Sequence, residues 1–223
     1  MIIRKTGKIS DGFYAVGSAT TPVYLLDGPA PVLFDGGFSA LAYHYETGIK
    51  EILGARKPVY LFLTHSHFDH IGAVSHLKKI WPKLQIGGSV RCREILLKQK
   101  AIQLIRDLSL ESTKSFKKMG VCSLNENPFE PFDLDILIKP DQKTELSPDL
   151  SLIAFNTPGH TWDFMSYWIP EKKILIASEA VAVYEDNGYI QTEFLIDVDA
   201  YLESLNKIKN LGATILCAGH YAV

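Results

Sequence analysis

Three of the chain's seven histidines, with an aspartate among them, fall within six residues: His65, His67, Asp69 and His70 in THSHFDHI, Thr64 to Ile71. Neutral imidazoles and carboxylates are ligands for zinc and for divalent iron or manganese. Gathering so many polar rings at the end of an apolar run has no stabilising rationale of its own. In an extended loop His65 and His67 point the same way, while a helix beginning near Asp69 turns Asp69 and His70 toward a second position, so one loop can serve two metals. His160 in TPGHT, Glu179 in ASEA and His220 in AGH complete a set of seven groups. Two divalent ions with positions left open for water are expected, zinc first and iron or manganese as alternatives. Water held by such ions is acidified toward neutral pH, giving a hydroxide nucleophile, and an open metal position polarises the carbonyl or phosphoryl oxygen under attack. Asp69 is the candidate to orient that hydroxide and to pass a proton to the leaving group. His44 and His76 have no motif around them and are read as ordinary surface or core histidines.

The elements that must position these groups are short apolar runs broken by Gly, Pro and Asp. Phe13–Val16, Val23–Leu26 and Val32–Phe34 read as a hairpin-rich opening sheet. Ser39–Leu53 and His70–Ile80 read as helices, and Pro58–Leu63, apolar on both faces, as a buried strand leading into the histidine run. Leu150–Phe155, Lys173–Ala177 and Thr214–Ala218 have the same character, with Ala200–Lys209 a helix between the last two. Each of these four buried strands delivers a ligand-type residue toward a common sheet edge, which predicts a layered α/β architecture.

At 223 residues and 47% hydrophobic content the chain can fill one large core, so a single domain over 1–223 is expected. The formal net charge of −2 argues against whole-surface attraction to nucleic acid or anionic lipid. Cys92, Cys122 and Cys217 form no CxxC pair, so neither a disulfide framework nor a cysteine zinc site is supported and a reducing, cytoplasmic compartment fits best. The amino terminus lacks a signal-peptide core and no apolar run approaches the ~20 residues that span a bilayer, so a soluble protein is expected.

THSHFDH, TPGHT, a carboxylate after the following strand and the late AGH resemble the metallo-β-lactamase-fold hydrolase superfamily over nearly the whole chain. The resemblance implies a four-layer αββα sandwich with a dinuclear site. It implies His65, His67 and His160 on one metal, and Asp69, His70 and His220 on the other. The bridging carboxylate of the family is usually aspartate, and Glu179 stands here instead, one methylene longer. Asp35 in FDGG resembles the family's early strand-end aspartate, which orients the metal loop without ligating. Tyr184 and Tyr221, each a few residues beyond a ligand, are candidates to hydrogen-bond an oxyanion, with simple packing as the alternative.

Residues 89–120 carry basic side chains, Arg91, Arg93 and Lys98 among them, with apolar positions at helical spacing. They read as a helical insertion between the HxHxDH and TPGHT loops. Over the cleft, it would suit a small-molecule substrate with an anionic or phosphate-bearing portion, such as an acyl-CoA, with its apolar face lining an acyl pocket; otherwise it is a solvated hairpin or a homodimer contact. The acidic stretch Asn125–Asp149 reads as a loop and hairpin outside the site. The family's glutathione thioesterases carry a further helical domain, and the ending three residues after His220 disfavours that activity. Hydrolysis of a thioester, lactone or related ester is the first expectation. A phosphodiesterase, a non-haem iron oxidoreductase of persulfide dioxygenase or diiron type, and a noncatalytic binding relative are the alternatives.

Overall fold

Central strands buried on both faces build two sheets packed face to face, with a core between them and another under the helices. The structure, a computed structural model, describes residues 6–122, 128–184 and 189–220. The first sheet runs in chain order: β1 (Gly7–Ser10), β2 (Phe13–Gly17), β3 (Pro22–Leu26), β4 (Val32–Phe34), β5 (Tyr60–Phe62), β6 (Gln85–Ser89) and β7 (Ile136–Ile138). The second contains β8 (Lys143–Ser147), β9 (Leu150–Asn156), β10 (Met165–Ile169) and β11 (Ile174–Ile176), with the last strand of the chain, Ile215–Cys217, parallel to β11 at its edge. β12 (Val183–Tyr184) and β13 (Ile190–Gln191) form a small separate pair, which makes Ile215–Cys217 β14.

Every residue of β3 is buried, as a strand covered on both faces requires. Val23 and Leu25 enter a core with the helices, whereas Tyr24 and Leu26 face the second sheet. Phe34 and Phe62 of the first sheet meet Tyr167 of β10 in that inter-sheet core, with ring centroids 5.6 and 5.8 Å apart. The parallel steps from β4 to β5 and β5 to β6 are crossed by α1 (Ala42–Leu53) and by α2 (Phe68–Ile71) with α3 (Val74–Ile80). α4 (Val90–Leu96) and α5 (Gln99–Lys118) follow β6, and α6 (Val198–Ile208) places Ile208 against Trp168 and Leu175 on the far side of the second sheet. Helix, sheet, sheet, helix is the αββα order expected.

Several elements differ from their expected bounds. Ser39–Leu41 is a 3-10 turn before α1. The helix expected over His70–Ile80 is two helices broken after Ile71, where Gly72 passes so close to Ser39, Phe68 and Gly37 that a Cβ would stand 2.3–2.8 Å from their backbone atoms. The ligand-bearing strands do not belong to one sheet: β5 lies in the first, and β9, β11 and β14 in the second. In the acidic stretch, β7 joins the first sheet beside β6, and β8 forms a hairpin with β9. Among the described residues, no helix is long and apolar enough to cross a membrane.

Candidate metal centre

β5 ends at Phe62, and the chain turns out of the sheet through Leu63 and Thr64. Main-chain bonds from Leu63 N–H to Gly87 O (2.9 Å) and from Met165 N–H to Thr64 O (2.7 Å) fasten that exit to both sheets. Asp35, one residue past β4 and buried, holds the other side. Its Oδ1 accepts from the Thr64 backbone N–H at 2.8 Å, the Thr64 hydroxyl lies 2.9–3.0 Å from both carboxylate oxygens, and His70 Nδ1 donates to Oδ2 at 3.0 Å. Asp35 adopts a left-handed φ of 61°, which aspartate tolerates better than most residues. One carboxylate therefore spans the histidine loop from Thr64 to His70.

The hydrogen-bond partners fix which ring nitrogens face inward. The Thr64 hydroxyl proton goes to Asp35, so Thr64 Oγ1 accepts from His65 Nδ1–H at 3.0 Å. His65 Nε2 is then a bare lone pair, buried and with no hydrogen-bond partner among the described residues. His160 Nδ1–H donates to Glu193 O at 2.6 Å and His220 Nδ1–H to Thr20 O at 2.9 Å, so these rings also present Nε2. His67 presents Nδ1, 3.1 Å from His160 Nε2. Two nitrogens on one tetrahedral zinc stand about 3.3 Å apart, given bonds of about 2.0–2.1 Å. The donor set fits a metal in its chemistry and its spacing.

The ligand atoms fall into interlocking triads, each within 4.8 Å: His65, His67 and His160; Asp69, His70 and His220; and His65, His70 and Glu179. Glu179 thus links a member of each of the other two. It lies in the 3-10 turn Ser178–Val181 after β11, and its Oε1 is 2.8 Å from His70 Nε2 and 2.9 Å from His220 Nε2. Oε2 accepts from Ser178 Oγ at 2.6 Å and lies 3.9 Å from His65 Nδ1. Asp69 Oδ2 is 3.4 Å from His220 Nε2 and 3.7 Å from His70 Nε2.

The electrostatics of the two histidine groups differ. Burial pushes the pKa of His65 well below the usual histidine value and lowers those of His67 and His160. Burial also opposes charge on His70, but Glu179, Asp69 and Asp35 outweigh it and hold its pKa well above the usual value. His220 is raised against burial by its hydrogen bond to Glu179. Burial would raise the Glu179 pKa, yet His70, His65 and His220 hold its carboxyl well below the ordinary range. One group is a set of neutral imidazoles; the other is a carboxylate cluster that concentrates positive charge, the role a divalent cation would take.

Two glycines make room for this arrangement. Gly159 of TPGHT has φ +132°, and a Cβ there would stand 2.5–2.6 Å from the Tyr201 backbone in α6. At Gly219 a Cβ would stand 2.3 Å from Glu179 Oε1. The small residues before His160 and His220 are legible in the sequence as sharp turns toward the sheet edge, whereas Thr64, directly before His65, carries no such signal.

A cleft of about 500 Å3 opens over these groups, lined by His67, Asp69, His160, Glu179 and His220 and by Phe68, Leu108, Val183, Leu195 and Glu193. Of the residues between 89 and 120, only Leu108 is part of this lining. The structure does not bring Arg91, Arg93 or Lys98 there. Arg91 lies 5.6 Å over the Trp162 ring, Arg93 pairs with Asp133 at 3.2 Å, and Lys98 precedes α5 on the surface. Tyr184 lies on β12 with its side chain outside the described atoms, and Tyr221 lies outside the described residues. His76 pairs instead with Glu46 at 2.7 Å, away from the centre.

This fold and this constellation define the class. The chain belongs to the metallo-beta-lactamase superfamily, whose family model matches residues 19–220. It is 30% identical over 203 residues to a beta-lactamase-like protein 2 homolog from Caenorhabditis elegans, covering 90% of this chain and 55% of the relative. It is 23% identical over 210 residues to an atrochrysone carboxyl ACP thioesterase from Aspergillus fumigatus, covering 94% of this chain and 50% of the relative. The chain thus spans about half the length of these two curated relatives. A mutant metallo-beta-lactamase from Cronobacter sakazakii has the same fold, with a TM-score of 0.70 at 22% identity over 97% of this chain and 80% of that one.

Proposed function

We propose that the chain is a metal-dependent hydrolase of small ester-type substrates, thioesters and lactones first. The observation that carries this reading is His65 Nε2, a buried lone pair with no partner among the described residues, beside His160 and His220, whose Nδ1 atoms are likewise engaged elsewhere. His65, His67 and His160 would hold one divalent ion and Asp69, His70 and His220 a second, with Glu179 reaching toward both. When bound, zinc, or iron or manganese in its place, supplies an acidified water and a Lewis acid for the scissile carbonyl. Asp69 lines the cleft and holds the water's proton for transfer to the leaving group. Asp35 acts at a distance from the substrate, keeping Nε2 of His70 turned inward. The thioesterase name of the Aspergillus relative supports the substrate class.

The test is turnover of acyl thioesters, aryl esters, lactones and a phosphodiester by purified protein, with and without a chelator. Ester or thioester hydrolysis that the chelator abolishes and metal restores, and that Asp69→Asn cuts by roughly a hundredfold or more, is the expected result. Turnover indifferent to the chelator overturns the reading. Preference for the phosphodiester, or oxygen consumption by an iron-loaded sample without hydrolysis, replaces it with another chemistry.

A further inference from the structure

The cleft leaves large apolar side chains facing water beside its polar groups. Leu108 on α5 is 39% exposed and Leu195, in the segment before α6, is 63% exposed, and both line the cleft. Leu104, one helical turn before Leu108 on the same face, is 59% exposed. Exposed apolar surface gathered at a concave site marks a place where something apolar binds.

Both leucines are built on the backbone that sets the ligand groups. Phe68 of α2, between His67 and Asp69, packs edge-on to Phe38 at 5.8 Å, and Phe38 packs on Phe116 of α5 at 5.0 Å, so the helix bearing Leu108 is locked to the histidine loop. On the other side, Glu193 O accepts from His160 Nδ1 and Ile196 N–H donates to Gly159 O at 3.1 Å, bracketing Leu195. The distance from the ligand groups to the apolar lining is therefore fixed. Glu193 is also a lining residue, and no basic side chain of α4 or α5 lines the cleft.

We propose that the cleft takes the acyl side of its substrate as an uncharged aliphatic chain, packed against Leu108 and Leu195, and that these two residues determine chain-length specificity. This rests on the ester-hydrolase reading. Burying one methylene favours binding roughly fourfold, so kcat/KM should rise with acyl length until the apolar lining is covered.

The experiment compares acetyl, butyryl and octanoyl aryl esters, and an ester of octanedioic acid with a free ω-carboxylate, on the metal-loaded protein. The expected result is an octanoyl-to-acetyl ratio of kcat/KM above about ten, carried by KM, with the ω-carboxylate ester turned over poorly. Leu108→Asn with Leu195→Asn should bring the ratio toward one, whereas Leu97→Asn, exposed and outside the cleft, should leave it unchanged. A flat length profile in the unaltered protein, or a ratio that survives the double substitution, overturns the proposal. If no ester is turned over, the hydrolase reading fails separately and the chain site is read by calorimetry with 2-decanone, a neutral ketone. Binding that the double substitution abolishes upholds the apolar chain site, and no binding to the unaltered protein overturns it.

Discussion

Glu179 Oε1 occupies the space that a methyl group at position 219 would need, 2.3 Å from the point where a Cβ on Gly219 would stand. The extra methylene of glutamate, where the family usually has aspartate, is accommodated against the glycine of AGH. Gly219→Ala should push the carboxylate off His70 and His220, lower occupancy of the second ion and slow turnover at least tenfold. Glu179→Asp in the same chain should restore part of that loss, because the shorter side chain vacates the contested space. The double-mutant cycle, read in metal content and kcat/KM, checks the coupling; strictly additive losses would mean the two positions do not contest one space.

Asp35 carries the histidine loop through Thr64 and His70. Asparagine would keep one acceptor oxygen and turn an N–H2 toward groups that are themselves donors. Asp35→Asn should cost about 1.5–3 kcal/mol, the range for a hydrogen bond to a charged group, and weaken metal affinity by roughly 10- to 100-fold. Thermal melts of the metal-free protein and competition with a chelator measure the two effects independently. A variant with unaltered affinity would show that the loop keeps its shape without the carboxylate.

Metal binding should depend on pH differently for the two ions. An imidazole must lose its proton to ligate. Histidines with depressed pKa values, His65, His67 and His160, are already neutral below the ordinary value of about 6.5, so affinity for the first ion should level off below that pH. His70 and His220 hold their protons to higher pH, so affinity for the second ion should keep climbing above it. Cobalt titrations followed by absorbance across this range resolve the two profiles, and parallel profiles would contradict the assignment.

The ligand groups were legible in the sequence because they are dense and directly follow apolar runs. Their division between two sheets was not, since a strand's pattern reveals which faces are covered and not which neighbour covers them. β6, QIGGS, has Ile86 as its one β-branched residue and no aromatic, too weak a strand pattern for it to stand among the expected strands. Yet a Cβ on Gly87 would stand 2.6 Å from the Phe62 ring, so the glycine is there for close packing inside the sheet. The basic character of residues 89–120 was equally visible, but charge count does not say which face of a helix meets the cleft. In the structure that residue is Leu108, and Arg93 is taken up by Asp133.

The most direct test of the account is elemental analysis of the protein purified without added metal and again after reconstitution. About two transition-metal ions per chain are expected, falling to about one in His67→Ala, from the His65, His67 and His160 group, and to about one in His220→Ala, from the other. Trace metal that does not rise on reconstitution, or a stoichiometry indifferent to both substitutions, would contradict the dinuclear centre and the hydrolysis built upon it.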